Sequence, residues 1–560
     1  MSTNTGSDDD ANTDTGTPRI TKIDGAPGSG KTYQLLQHIK RLRDVEDIKP
    51  WDVKFMTFSR SARRDAEERL KGIFAEDPDD VEKAVTTVHG AALGQVIGEV
   101  YETDEFNEEW DLISQQKDPD KFSRFFRKEF PYINYEVRAK DPLEALERGE
   151  DPGGDTGNDI IAAYNFLRAK VWGYEYNQHA PVEIDQPPSR IEEIMRRFDE
   201  WKEENKYLQH DDYVHDAVEA RLTPHADYLF IDEFQDLSPL QYKLYKVWRD
   251  EGDISRIYIA GDADQSIYGF RGADPKYFRG TDVHRVEPQK QSRRCPSEVV
   301  EAANRSLCVD GDDDRDEDEI MEPAQTGGDV EHLTVETSHG LADLVKDEVD
   351  ATDGDVYLLS RANHFVSEVG EALREEGVPY FGLSRSHQRW RSPAAEIYKV
   401  LRGVEAGRPL DTPGLEEAVE EVLSQGEEGV IRETARRKID AEGVDKDDLF
   451  EWFGVDTREG LLSTLDLKEW QYDIIRAALQ SDASHAPRDV RIGTIHAAKG
   501  LEADSVLLFP DYSQKMLQRY QGDSQAEEER IFYVGASRAS DRLRVVHDFF
   551  GGEEFPPLSR

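Results

Sequence analysis

Two short clusters of residues have a composition and spacing suited to work on phosphate groups. The first is GAPGSGKT at residues 25–32, which fits G-x-x-x-x-G-K-[ST]. In the run Gly25, Ala26, Pro27, Gly28, Ser29, Gly30, Lys31, Thr32, the glycines let backbone N–H groups converge on phosphate oxygens. A following helix N-terminus adds a favourable field, Lys31 can reach the outer phosphates, and Thr32 can ligate Mg²⁺. A β-branched run precedes the loop, and Leu35, Leu36, Ile39 and Leu42 mark one helical face after it. The alternative, a chance glycine-rich turn, needs no such strand and helix in register. The second cluster is LFIDEFQDLSPLQY at 229–242, an apolar run that ends in two adjacent acids. Asp232 at the end of such a strand can stand beside the loop's magnesium, and Glu233 can polarise an attacking water. With 118 acidic residues in the chain, acids can also be background. A buried strand that ends in two of them has a use for them more often than not. Asp236 has no evident partner and reads as background.

Strands followed by helices must position these groups. RITKI (19–23), VKFMTF (53–58), ADYLFI (226–231) and RIYIA (256–260) form one set of short β-like runs, and VYLLS (356–360), SVLLF (505–509) and LRVVH (543–547) form a second. Residues 96–220 and 390–486 show helical periodicity without such runs. The expected fold class is α/β, with two domains of parallel sheet flanked by helices, each carrying a mostly helical insertion. The first domain is expected over 18–95 and 221–285 with 96–220 inserted. The second is expected over 286–389 and 487–560 with a reduced insertion over 390–486, and 1–17 reads as a disordered polar tail. A chain of 560 residues is too long for one core in any case.

The net charge of −48 arises from 70 basic and 118 acidic residues spread along the chain. Such a surface suits a salt-saturated cytoplasm, where repulsion is screened, and points to a halophilic source. Cys295 and Cys308 are the only cysteines, which excludes a disulfide framework and a four-cysteine metal site. No apolar stretch approaches a membrane span, and the N-terminus lacks the features of a signal peptide. A soluble cytoplasmic protein with no membrane partner is expected.

In chain order, GAPGSGKT, TFSRSARRDAEER (57–69), TTVHGAAL (86–93), FIDEFQDLSPLQY (230–242) and GDADQSIYGFRGA (261–273) resemble motifs I, Ia, Ib, II and III of the UvrD/Rep/PcrA type of superfamily 1 DNA helicases. SRRCPSEVVEAAN (292–304), LLSRANHFVSEVGEAL (358–373), TIHAAKGLEADSV (494–506) and EEERIFYVGASRA (527–539) are similar to motifs IV, IVa, V and VI. The resemblance covers most of the chain outside the two helical stretches. It implies two RecA-like motor domains that use ATP and Mg²⁺ to move 3′→5′ on single-stranded DNA and unwind duplex. It places Lys31 and Thr32 on phosphates and metal, Asp232 on the metal and Glu233 as the base. Gln265 becomes a γ-phosphate sensor, Arg294 and Arg538 arginine fingers, and Glu502 a ribose contact. For DNA it points to Tyr268, Phe270 and Arg271, with Phe58, His89 and His496 nearby, and to Thr57, Ser59, Arg361 and Thr494 as phosphate contacts. Aromatic faces stack any base, although rings of this kind also serve as core packing. The implied partners are single-stranded DNA, junctions of single- and double-stranded DNA, and accessory repair or replication proteins. The implied assembly is a monomer or weak oligomer.

The chain also departs from the family pattern. No L-N-x-x-Q segment, the usual adenine contact, precedes the loop. Tyr33 and Arg293 stand where the family has arginine and tyrosine around the base, an exchange that preserves an aromatic–guanidinium sandwich. The second insertion is short, with no G-I-G duplex-binding signal, and the chain stops soon after motif VI, so no fused nuclease is expected. KFSRFFRKEF (121–130) is a basic, aromatic island that reads either as a DNA contact or as an amphipathic helix with a basic face. Two alternatives to an unwinding motor are a translocase that strips bound proteins and a nucleotide-gated DNA-binding switch.

Overall fold

The computed structural model describes residues 18–559 apart from Ser59, 138–155 save Leu143, 177–183 save Val182, 308–319, most of 385–445 and of 466–489, and positions 353, 379, 514, 515, 518, 519 and 522–524. The tail expected over 1–17 and most of the insertion expected over 390–486 therefore lie outside the described residues. The chain divides into two compact units. One is Met1–Gly25, Gly30–Leu143 and Pro152–Gln289, and the other is Ala26–Ser29, Glu144–Asp151 and Lys290–Arg560.

The first unit holds a six-stranded sheet of β1 (Arg19–Gly25), β2 (Val53–Thr57), β3 (Val85–Thr87), β4 (Tyr228–Ile231), β5 (Arg256–Gly261) and β6 (Arg285–Gln289). Its spatial order is β3-β2-β4-β5-β1-β6, and every pairing is parallel. Parallel strands covered on both faces read as continuous apolar runs, which is how YLFI and IYIA appear, all buried. Between β1 and β2 runs the helix α1 (Lys31–Glu46), whose buried residues include Leu35, Leu36, Ile39 and Leu42, the face marked out by spacing.

This order decides what lies at the sheet's carboxyl end. The chain leaves β1 for β2, three positions away, and later fills the gap with β4 and β5. The ends of β4, β5 and β1 therefore stand side by side, and the residues that follow them, Asp232, Asp262 and the glycine-rich loop, are brought together. β6 was not foreseen. Its sequence RVEPQ is mostly exposed and contains Pro288, which an edge strand tolerates, and it carries the first unit to Gln289 instead of 285.

The inserted helices of the first unit have their own core. Phe122, Phe125 and Phe126, from the helix Pro119–Glu129, are buried against Ile160, Tyr164, Phe198 and Trp201. The rings of KFSRFFRKEF are thus packing residues, as the amphipathic-helix reading expected, and do not face solvent.

The second unit holds another parallel six-stranded sheet, of β7 (Asp329–Thr334), β8 (Val356–Ser360), β9 (Phe381–Gly382), β10 (Val490–Thr494), β11 (Ala503–Leu508) and β12 (Ala539–His547). The order is β7-β12-β11-β8-β10-β9. Its interior contains arginines held by acids. Glu348 receives hydrogen bonds from Arg542, Arg544 and Ser505. Arg361, just after β8, donates from Nε and one Nη to the two oxygens of Glu528, each at 2.8 Å, and both side chains are fully buried. This corrects the expectation that Arg361 contacts DNA phosphate, because the guanidinium is turned inward onto a carboxylate.

A buried pair of this kind costs about 3–5 kcal/mol when one partner is removed, because the other charge is left uncompensated. Urea titration should show Glu528→Ala losing stability of that order, with Arg361→Met/Glu528→Leu recovering most of it. A loss in Glu528→Ala below about 1 kcal/mol, the range of an exposed pair, would contradict the assignment.

Candidate functional site

The loop between β1 and α1 has the backbone that a phosphate cradle requires. Gly28 and Gly30 have φ of 68° and 91°, and Gly30 caps the helix, so Lys31 and Thr32 open its first turn. The Lys31 ammonium donates to the Gly25 carbonyl at 2.8 Å. The Thr32 hydroxyl donates to Asp232 Oδ2 at 2.6 Å, joining the loop to the end of β4. Ser29 Oγ is buried without a hydrogen-bond partner. These features fit a magnesium–nucleotide. A hydroxyl and a carboxylate converge at one point, an ammonium stands beside them, and a buried hydroxyl in the loop is left with bonding capacity.

The acids of this site are buried, and burial is what raises them. The Asp232 carboxyl is pushed above the usual range first by burial and then by the neighbouring Glu233 charge, against the pull of Thr32 and Lys31. Asp262 is raised by burial as well, with Lys31 drawing it down and Asp264 pushing it up. A bound cation would favour the ionised form of such groups.

Glu233 has φ of 53° and ψ of 40°, a left-handed conformation uncommon outside glycine. It begins the turn Phe234–Asp236, and Ser238 then caps the next helix, α2 (Pro239–Glu251), through a box with Gln241. The Gln235 amide donates to Glu233 Oε2, while its carbonyl oxygen accepts from the backbone N–H of Asp262 at 3.1 Å. The Ser266 hydroxyl donates to the Gln235 backbone carbonyl at 3.1 Å. Gln265 donates to Asp262 Oδ2 at 2.7 Å. One buried glutamine thus joins Glu233 to the segment that bears Gln265. Asp236, set aside as background, is buried within this turn.

The candidate DNA residues of the first unit divide into two groups. Phe58, just after β2, and Tyr268 present parallel rings with centroids 6.5 Å apart, and Phe270 lies 6.1 Å from Tyr268. The Arg271 guanidinium stands over both Tyr268 and Phe270. Thr57 is buried at the end of β2, and Ser59 lies outside the described residues. His89 belongs to another cluster, where Gln241 and Asp211 approach its ring. Tyr33 is 53% exposed, with its ring available.

In the second unit, Arg294 Nε donates to Glu502 at 2.6 Å and one of its Nη atoms to the Ser537 carbonyl at 3.4 Å. A candidate arginine finger and the candidate ribose contact therefore hold each other. Arg538 is buried and donates to the carbonyls of Val534 and Leu501 and to the Ser537 hydroxyl. It fixes the backbone that carries Ser537 and does not project as a finger in this arrangement. Thr494 is buried as a helix cap, donor contact coming from the Ala497 N–H, and His496 is buried beside it. The Thr494 hydroxyl serves here as the acceptor of a helix cap. Arg293 is exposed.

Sequence reasoning missed Asp262 and Glu528. The rule that singled out Asp232, a buried strand ending in an acid, applies equally to RIYIAGD and identifies Asp262. Nothing local singles out Glu528, since its partner lies 167 positions away.

Comparison with known proteins points the same way. A family model for the UvrD/REP helicase N-terminal domain matches residues 10–283, and one for the UvrD-like helicase C-terminal domain matches residues 458–547. The chain is 21% identical over 381 residues to an ATP-dependent DNA helicase PcrA of Leuconostoc citreum, covering 63% of this chain and 46% of that protein. It is 27% identical over 339 residues to an ATP-dependent DNA helicase UvrD2 of Mycobacterium tuberculosis, covering 56% and 46%. It thus spans about half the length of the curated relatives it matches.

Removing the Gln235 amide takes one hydrogen bond from Glu233 and leaves the Asp262 N–H without this acceptor. Gln235→Ala should lower kcat for magnesium–nucleotide hydrolysis by roughly tenfold or more while KM moves little, since the change affects positioning and not phosphate binding. A wild-type kcat in steady-state assays would contradict the coupling role.

Proposed function

We propose a function from one premise: the chain belongs to the UvrD/PcrA-type helicase family. The reading supported best is an ATP-dependent motor that moves 3′→5′ on single-stranded DNA and separates duplex, with each unit acting as a RecA-like domain. The observation that carries it is the Thr32–Asp232 hydrogen bond, with Glu233 turned toward the same end of the sheet by Gln235.

Lys31 would neutralise the outer phosphates, and Thr32 and Asp232 would hold Mg²⁺. When bound, the metal supplies Lewis-acid charge on the phosphate oxygens. Glu233 would take a proton from the attacking water, which its left-handed backbone and the Gln235 amide orient it to do. Gln265 would respond to the outer phosphate and pass its position through Asp262 and Gln235 to Glu233, along bonds already made in the protein. Arg294 would serve as the finger after exchanging Glu502 for phosphate, leaving Glu502 for the ribose. Arg538 would join it only by giving up its carbonyl partners. Tyr33, whose ring is exposed, would stack on the base.

Phe58, Tyr268 and Phe270 would stack bases, with Arg271 beside them, whatever the sequence of the strand. Arg361 is withdrawn from the DNA-binding set. The acidic surface suits function at high salt, where ionic contacts to phosphate weaken and stacking carries more of the binding.

Unwinding assays at high KCl, with duplexes bearing a 3′ or a 5′ single-stranded tail, test this reading. Wild-type protein should separate strands only with ATP and Mg²⁺ and only from the 3′-tailed duplex, and Glu233→Gln should bind ATP but hydrolyse it at least roughly a hundredfold more slowly. Activity from 5′ tails alone would overturn the direction. Hydrolysis without strand separation would favour a motor that strips proteins from DNA.

A further inference from the structure

A cleft of about 730 Å³ runs beside β3 at the edge of the first sheet, from the amino ends of the strands to the helix that follows β3. Lys54 is the second residue of β2, Val85 the first of β3, and His225 lies just ahead of β4, so these lining residues mark the amino end of the parallel strands. The nucleotide residues follow the carboxyl ends of β1, β4 and β5, which separates the two sites.

The cleft reverses the sign of the chain around it. Lys54, Arg63, Lys83, Arg221 and His225 line it against two acids, Glu82 and Glu99, in a protein of net charge −48. Lys83 is 3.7 Å from Asp80, and Arg221 pairs with Glu251. The Lys54 ammonium donates to the Lys83 carbonyl, and burial lowers its pKa. Donors also exceed acceptors. Arg63 Nε is buried without an acceptor. Trp248 donates to the Gln95 carbonyl oxygen at 3.2 Å, which fixes that amide and leaves Gln95 Nε2 buried with no acceptor either.

Two further features narrow the occupant. Among the described residues β3 is the outermost strand of its sheet and pairs only with β2, and its residues Val85 and Thr86 line the cleft. A free strand edge accepts an extended peptide by adding it as a further strand. Ile97, Leu222 and Pro224 stand among the cations and offer apolar contacts to alternate side chains. A nucleic-acid strand would leave those contacts unused and would find, among the described residues of the lining, no Phe, Tyr or Trp on which to stack a base.

We propose that this cleft docks an extended acidic peptide of a partner protein, laid along the edge of β3 with carboxylates on Lys54, Arg63 and Lys83 and apolar side chains on Ile97, Leu222 and Pro224. The assignment does not depend on the motor reading.

The probe is a fluorescein-labelled peptide of about ten residues that alternates aspartate with valine, titrated with the full chain by anisotropy. Saturable binding is expected, with a loss of roughly tenfold or more in Lys54→Glu/Lys83→Glu. Gly94→Leu provides an independent test should that double variant fail to fold. Gly94 lines the cleft, and a Cβ there meets nothing within 4 Å, so the new side chain enters open space and blocks the peptide without altering charge. Both variants should keep wild-type nucleotide hydrolysis. Unchanged peptide affinity in Gly94→Leu, or equal binding of a peptide with lysine in place of aspartate, would overturn the proposal. So would an oligothymidylate whose affinity falls in these variants while that of the peptide does not.

Discussion

A buried charge must be matched, and the carboxyl end of the first sheet is arranged around this constraint. Lys31, Asp232 and Asp262 are all nearly inaccessible to solvent. Both acids are pushed above the usual carboxylate range by burial, and Lys31 draws both down. One ammonium thus faces two buried acids, with Glu233 alongside. The strand order follows from the same requirement, because β4 and β5 must return between β2 and β1 for Asp232 and Asp262 to reach the loop. The glutamine at 235 then turns this arrangement into a connected unit, since its two amide ends reach Glu233 and the strand that leads to Gln265.

The second unit meets the constraint differently. Its arginines are paired with acids or backbone carbonyls inside the fold, as in Arg361 with Glu528, Arg544 with Glu348, and Arg538 with Val534 and Leu501. In so acidic a chain, arginine near a candidate site is as readily a structural tie as a ligand contact. Arg294 is the one candidate finger held by a solvent-exposed carboxylate, Glu502, a partner it can exchange at small cost.

Much of this was legible in the sequence. The strands with apolar cores, such as YLFI and VYLLS, were found because parallel strands bury both faces and leave continuous apolar runs. β3, β6, β7, β9 and β10 were not found: β3 and β9 have only three and two residues, β6 is a polar edge strand containing proline, and DVEHLT and VRIGT mix polar residues into short runs. At the site, Thr32 and Asp232 read as neighbours from the chemistry of their two motifs, and they are hydrogen-bonded although 200 positions separate them. What the motifs do not carry is burial. Arg361 reads as a phosphate contact from its motif position alone, and a carboxylate 167 residues away decides where it points.

The most direct test of the buried acid–ammonium site is the affinity of the full chain for a non-hydrolysable ATP analogue, with and without Mg²⁺, in the wild type and in Asp232→Asn. Mg²⁺ should tighten binding to the wild type by roughly tenfold or more. Asp232→Asn should lose most of that gain while keeping its metal-free affinity. An equal gain from Mg²⁺ in both proteins would contradict the assignment of Asp232 to the metal, and with it the arrangement on which the proposed chemistry rests.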